Sequence, residues 1–159
     1  MMRVKILGVL AALFLVAACE TTPPPTNTAG AGTTQPGRAT PGSVADFQQN
    51  VGDRVFFDYD SFQLTAEARQ ILTRQSAWLK QYGTYRVTVE GHADERGTRE
   101  YNLALGERRA ASVRAFLVSQ GIPANRVATI SYGKERPAVA GSTEQAYSQN
   151  RRGVSVLSN

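Results

Sequence analysis

Apolar and polar positions follow two rhythms along this chain. In YRVTVEGH, Tyr85, Val87 and Val89 share one face and Arg86, Thr88 and Glu90 the other, a period of two that predicts a strand. GVSVL, from Gly153 to Leu157, alternates in the same way, and RVATISYG reads as a strand ending at Gly133. RVFFDY, Arg54 to Tyr59, is aromatic and β-rich and predicts a further short strand. Between these runs the period changes. Ala68, Ile71, Leu72, Trp78, Leu79 and Tyr82 recur at helical spacing. Thr65 stands in the N-cap position, Glu67 in the first turn and Gly83 where a C-cap belongs. A second helix is predicted from a Thr98 cap through Glu100, Leu103, Ala110, Val113, Phe116 and Leu117, ended by the glycine and proline of QGIP, Gln120 to Pro123. KERPAVAGSTEQAYSQN, which follows the third strand, reads as a loop with one helical turn near Ala146.

The resulting order, β-α-β-α-β-β, predicts an α/β two-layer sandwich with two main helices on a small mixed sheet. The β-α-β steps imply parallel neighbours or a split arrangement, with the last strand free to enter antiparallel.

The first 43 residues follow neither rhythm. Arg3 and Lys5 precede an apolar run from Ile6 to Ala18, too short to span a bilayer comfortably. A basic start, an apolar middle and small residues at the end describe a signal peptide over residues 1–18. LVAAC, ending at the chain's only cysteine, resembles the bacterial lipobox. That resemblance implies lipidation of Cys19, which accounts for a lone cysteine in an exported protein. Glu20 stands where the sorting pattern has aspartate for inner-membrane retention, so the resemblance implies delivery to the outer membrane. ETTPPPTNTAGAGTTQPGRATPGS has no bulky apolar side chain and reads as a disordered tether. It would span roughly 25–30 Å as a flexible coil. The expected organisation is a leader over residues 1–18, a lipidated cysteine and tether over 19–43, and a folded domain over 44–159.

Losing Arg3 and Lys5 with the leader takes the formal net charge from +5 to +3. Basic and acidic residues are interspersed rather than clustered, which argues against a nucleic-acid partner.

The chemistry concentrates in EGHADERGTREYNLALGERRA, Glu90 to Ala110, which starts at the end of the second strand and enters the second helix. Asn102, Leu105 and Arg109 are spaced i, i+3, i+7 and share one stripe of that helix. A solvent face would not need Leu105, and a core face would not tolerate Arg109 unpaired. Asp94 lies in the preceding turn, with Gly97. An acid and an arginine facing one groove suit a zwitterion, carboxylate to the guanidinium fork and ammonium to the acid. The spacing equally allows an internal Asp94–Arg109 salt bridge that only fixes the loop. Asp58 and Asp60 reach the same edge if the first two strands are parallel. Glu95, Arg96, Glu107 and Arg108 read as solvated surface or partner contacts, and His92, the only histidine, as a strand end hydrogen-bonded to a neighbour.

Asp94, Gly97, Asn102, Leu105, Arg109, Ala110, Val113 and Leu117 fall at the spacing of the OmpA-like domain family. VEGHADERGT, ALGERRA, SYGKERPAV and QNRRGVSV are similar to its peptidoglycan-associated lipoprotein branch. The resemblance runs from Arg54 to Leu157. It implies that Asp94 and Arg109 grip diaminopimelate of the peptidoglycan stem peptide, with Tyr59 and Asp60 at the mouth and Asn102 and Leu105 lining the stripe. It implies that Arg151 or Arg152 meets carboxylates. It also implies contacts with periplasmic Tol proteins, notably TolB, within the Tol-Pal system of envelope integrity and cell division. Ala93, Arg99 and Gly106 depart from the common pattern, and Gly106 is expected to weaken its helix by up to about 1 kcal/mol.

Enzymatic function is not expected. One histidine and one cysteine leave no multi-histidine or thiolate metal site, and neither a G-x-S-x-G elbow nor a phosphate-binding P-loop occurs. No cofactor is called for. The competing expectation is a protein-interaction module for Tol partners in which Asp94 and Arg109 are only structural.

Overall fold

The computed structural model describes residues 39–159; the expected leader, Cys19 and most of the tether lie outside the described residues. The first element is a short helix, α1 (Val44–Asp46), capped by Ser43 and continuing into a wide π turn, Phe47–Val51. Then come β1 (Arg54–Phe56), α2 (Ala66–Gln81), β2 (Arg86–His92), α3 (Arg99–Ser119), β3 (Val127–Gly133), α4 (Glu144–Asn150) and β4 (Arg152–Ser158). The four strands form one sheet in the order β1-β4-β2-β3. β4 is antiparallel to both β1 and β2, and β2 is parallel to β3. β1 and β2 therefore run the same way with β4 between them, the split form of β-α-β. Their carboxyl ends, with Asp58 and Asp94 just beyond, face one edge.

Hydroxyl caps start the helices as their sequences predict. Thr65 Oγ1 accepts from the Ala68 N–H of α2 at 3.1 Å, and Thr98 Oγ1 from the Tyr101 N–H of α3 at 3.2 Å. α3 ends at Gly121 and Pro123, with the Ile122 N–H donating to the Leu117 carbonyl. α2 ends differently from expectation. Tyr82, not Gly83, closes it, and the Arg126 guanidinium donates to the Leu79 and Tyr82 carbonyls. A cation at the last turn satisfies orphan carbonyls and opposes the helix dipole.

Val55, Leu72, Leu79, Val87, Val89, Val113 and Leu117 make the centre of a core between the helices and one sheet face. α3 reaches β2 closely enough that a Cβ on Gly91 would fall on the Gly106 carbonyl oxygen. Gly106 thus contributes close packing that offsets the propensity lost in its helix. Two elements differ in length from their predictions. β1 stops at Phe56 rather than Tyr59, and the 134–150 segment holds a seven-residue helix capped by Thr143. Among the described residues, no helix is long and apolar enough to cross a membrane.

Candidate binding site

Beyond the carboxyl ends of β1 and β2 lies an open cavity of about 170 Å³. Tyr59, Asp60, Asp94, Asn102, Leu105 and Arg109 all line it, joined by Arg96, Gly97 and Tyr101. Open α/β layers tend to place ligands at this end of their strands. The α3 stripe turns inward as its spacing requires: Asn102, Leu105 and Arg109 are buried.

Arg109 is fully buried, yet among the described residues it pairs with no carboxylate and donates to backbone carbonyls instead. Its Nε donates to the Ser61 carbonyl at 2.8 Å, Nη1 to His92 at 2.8 Å and Nη2 to Asp58 at 3.1 Å. This explains the early end of β1. The chain leaves the sheet after Phe56 and curls so that the Asp58 and Ser61 carbonyls meet the guanidinium. The curl includes Asp60 at φ 52°, the left-handed region that non-glycine residues seldom adopt. A guanidinium carries five N–H groups, so these bonds leave one free on each terminal nitrogen. Burial pushes Arg109 down to about 10, against the pull of Asp94 in the other direction, so it remains charged near neutrality.

Asp94 does not bridge to Arg109. Its Oδ1 accepts from the Arg96 backbone N–H at 3.1 Å and from Arg96 Nε at 3.2 Å. Its Oδ2 accepts from Arg96 Nη2 at 2.7 Å and from Arg151 Nη1 at 3.4 Å. Burial alone would raise the Asp94 carboxyl, but the Arg96 hydrogen bonds and charge, with Arg151 behind, hold it below the usual carboxylate range. Arg96 is therefore not the solvated side chain its sequence position suggests. Its guanidinium lies 4.1 Å from the centre of the Tyr59 ring and 4.3 Å from that of Tyr147. Glu95, exposed as expected, accepts from the Tyr147 hydroxyl at 2.9 Å.

The two arginines at the start of β4, Arg151 just before it and Arg152 its first residue, separate. Arg151 donates to the Phe57 carbonyl and meets Glu144 at 2.8 Å as well as Asp94. Arg152 does not reach the cavity. It donates to the Asn150 and Arg136 carbonyls, because consecutive residues entering a strand face opposite sides. Asp60 accepts from the Tyr101 hydroxyl, a bond between two lining residues of the cavity that raises the Tyr101 pKa.

His92 corrects an expectation. Its ring is buried, and neither ring nitrogen has a hydrogen-bond partner among the described residues; the nearest carboxylate, Glu90, is 3.5 Å from Nε2. The ring lies 5.6 Å from that of Tyr132, on which Arg136 stacks. Burial first, then the charges of Arg152 and Arg136, lower its pKa to about 4. What His92 gives the site is its backbone carbonyl.

This geometry meets a match to known proteins. The model of the OmpA family matches residues 56–151, which include every cavity residue. A peptidoglycan-associated lipoprotein of Mesorhizobium japonicum is 53% identical over 156 residues, covering 98% of this chain and 93% of its own. The chain belongs to the OmpA family, in its peptidoglycan-associated lipoprotein branch. Another member, from Agrobacterium fabrum, is 63% identical over 121 residues, 76% of this chain and 68% of its own. The crystal structure of the peptidoglycan-associated lipoprotein from Burkholderia pseudomallei superposes with a TM-score of 0.67 at 34% identity, over 70% of this chain and 96% of that one. The fold class is thus that of the family, which is non-enzymatic. Among the described residues no cluster of potential metal ligands occurs.

Sequence reasoning found the stripe and the acid but missed Arg96, Tyr101, Glu144 and Tyr147. Only the closeness of Arg96 to Asp94 was visible, since residues two apart in a turn can share a hydrogen bond. The tyrosine faces come from segments far apart in the chain.

Proposed function

We propose that this chain binds peptidoglycan non-covalently through the zwitterionic end of diaminopimelate, and so tethers the outer membrane to the cell wall. One observation carries the reading. Asp94 and Arg109 line the same small cavity without pairing to each other, and Arg109 retains N–H groups for a carboxylate. An internal salt bridge between them would have made the pair self-sufficient. The relatives' name agrees with this chemistry. The lipid on Cys19 supplies the membrane end, the expected tether up to the point where Gly42 and Ser43 join the fold supplies the reach, and many anchored copies on one polymer supply avidity. Replacing Cys19 by Ser should release the protein from membranes.

Co-sedimentation with purified peptidoglycan tests the binding step. Arg109→Lys and Asp94→Asn are the suitable variants, because alanine at Arg109 would orphan three backbone carbonyls at once. The wild type is expected to pellet, with both folded variants losing at least about tenfold in affinity, the factor that 1.4 kcal/mol represents. Equal pelleting of folded variants would make the pair structural.

A second reading rests on the rim. Tyr59 and Tyr101 remain 62% and 49% exposed around the cavity, aromatic surface of the kind enriched at protein interfaces. TolB docking there, within a Tol-Pal system serving envelope integrity and cell division, would compete with peptidoglycan. Tyr101→Ala should then weaken TolB capture in a direct binding assay.

A further inference from the structure

We propose that Arg96 is a resident occupant of the cavity's cation seat, which a cationic ligand must displace before it can bind. The inference rests on the reading of a zwitterion site given above and specifies how that site chooses its ligand.

The seat is full. A carboxylate offers about four acceptor positions. On Asp94, three are taken by the Arg96 backbone N–H, Nε and Nη2, and the fourth by Arg151 Nη1. An arriving ammonium finds no position open unless the Arg96 side chain leaves. The backbone N–H and Arg151 would remain, so Asp94 would not be stranded.

The seat is also shaped for a cation in general. Arg96 lies between the rings of Tyr59 and Tyr147, each within cation–π distance, with the carboxylate completing the enclosure. The Tyr147 ring is held by its hydroxyl on Glu95. Once vacated, the slot presents aromatic faces and one acid, which recognise an alkylammonium as well as a guanidinium.

Arg96 has a way out. It stands in the turn between β2 and α3 rather than in either element, and its side chain is one-third exposed. Its Nη1 already lies 3.4 Å from Glu144, whose side chain is 65% exposed and can retain the guanidinium outside the cavity.

Two consequences follow. The apparent affinity of any ligand is reduced by the population of the occupied seat. Selectivity rises in return. An amine without a carboxylate regains only what Arg96 gave up, whereas an amino acid end group adds the bonds to Arg109. The resident cation therefore filters simple amines from zwitterions, a discrimination made by exclusion as much as by attraction.

Calorimetric titration of the full chain decides this, with meso-diaminopimelate and cadaverine as probes, on wild type, Arg96→Gln and Arg96→Lys, each checked for a cooperative melt. Arg96→Gln is expected to bind diaminopimelate about tenfold more tightly than wild type and to acquire cadaverine binding that wild type lacks. Methylguanidinium added to Arg96→Gln should refill the seat and weaken diaminopimelate binding towards the wild-type value. Arg96→Lys keeps the charge but loses the fork, and should fall between the two. If wild type binds diaminopimelate and Arg96→Gln binds it equally or more weakly, the resident-cation proposal is overturned while the zwitterion site stands. If neither protein binds diaminopimelate, both fall. Should Arg96→Gln not fold, Arg96→Lys decides alone: tighter binding than wild type supports the proposal, and equal or weaker binding refutes it.

Discussion

At the entry ends of β1 and β2, Trp78 packs against Phe47, Tyr82 and Tyr85 at ring-centre distances of 4.5–5.3 Å. The indole N–H donates to Asp46 at 2.8 Å, and the Tyr85 hydroxyl to the Gly42 carbonyl at 3.0 Å. At the exit ends of the same strands, buried Arg109, Asp94 and Arg151 are held by carbonyls and by one another. One end is stabilised by apolar area removed from water, the other by charges whose desolvation is offset bond by bond. The difference shows how a small domain separates its tasks. The aromatic end, where the chain enters the domain, resists unfolding without presenting a ligand surface. The charged end adds little net stability but fixes donors and acceptors in place before a ligand arrives.

That division is most sharply tested by Trp78→Ala, the largest effect expected. Removing a buried aromatic of this size costs about 3–5 kcal/mol. Denaturant midpoints should fall accordingly. Diaminopimelate affinity of the protein that remains folded should not change, and a folded variant that has lost binding would show the two ends to be coupled.

Acid should attack the other end next. The folded His92 titrates near 4 and an unfolded histidine near 6.5. As pH falls from about 6.5 to 4, the unfolded chain takes up a proton that the folded one refuses. Stability therefore declines across that window and levels off below it, by on the order of 3 kcal/mol. His92→Gln should flatten this limb in urea unfolding measured from pH 7 to 4. Asp94 acts in a different window. Its folded pKa is depressed, so its contribution is present above the unfolded carboxylate value of about 3.9 and is lost below it. A wild-type decline confined to pH below 4 would remove His92 as the cause.

The same contrast governs what the sequence made legible. Thr65 and Thr98 were readable as caps because a hydroxyl reaching an N–H three residues on is a local event. The α3 stripe was readable because i, i+3, i+7 geometry belongs to the helix itself. Gly83 misled because the end of α2 is secured by Arg126, 47 residues from the Leu79 carbonyl it reaches. β1 ran long in prediction because nothing local shows that Arg109 draws the Asp58 and Ser61 carbonyls out of the strand direction. α4 showed only as one helical turn near Ala146, because seven residues are too few for periodicity to give its full length. At the site, charge type and spacing identified Asp94 and Arg109, but not whether they pair. The pairing was decided by Arg96, whose tyrosine neighbours are brought together only by the fold.

The smallest expected effect isolates how the aromatic end grips the entering chain. Tyr85→Phe keeps the ring beside Trp78 and removes only the hydroxyl that donates to the Gly42 carbonyl. A single hydrogen bond of this kind contributes about 0.5–1.5 kcal/mol. Global unfolding should therefore shift slightly. Hydrogen exchange at the Ser43 and Phe47 amides, which bond within the first turn, should rise more clearly. Those amides report local release of the entry segment, whereas the global midpoint reports the whole core. If both change in the same proportion, the entry segment unfolds only with the domain and the aromatic end is one cooperative unit. If the amides loosen while the midpoint holds, the hydroxyl is a local clip at the point where the chain enters the fold, and the apolar packing beneath it carries the stability.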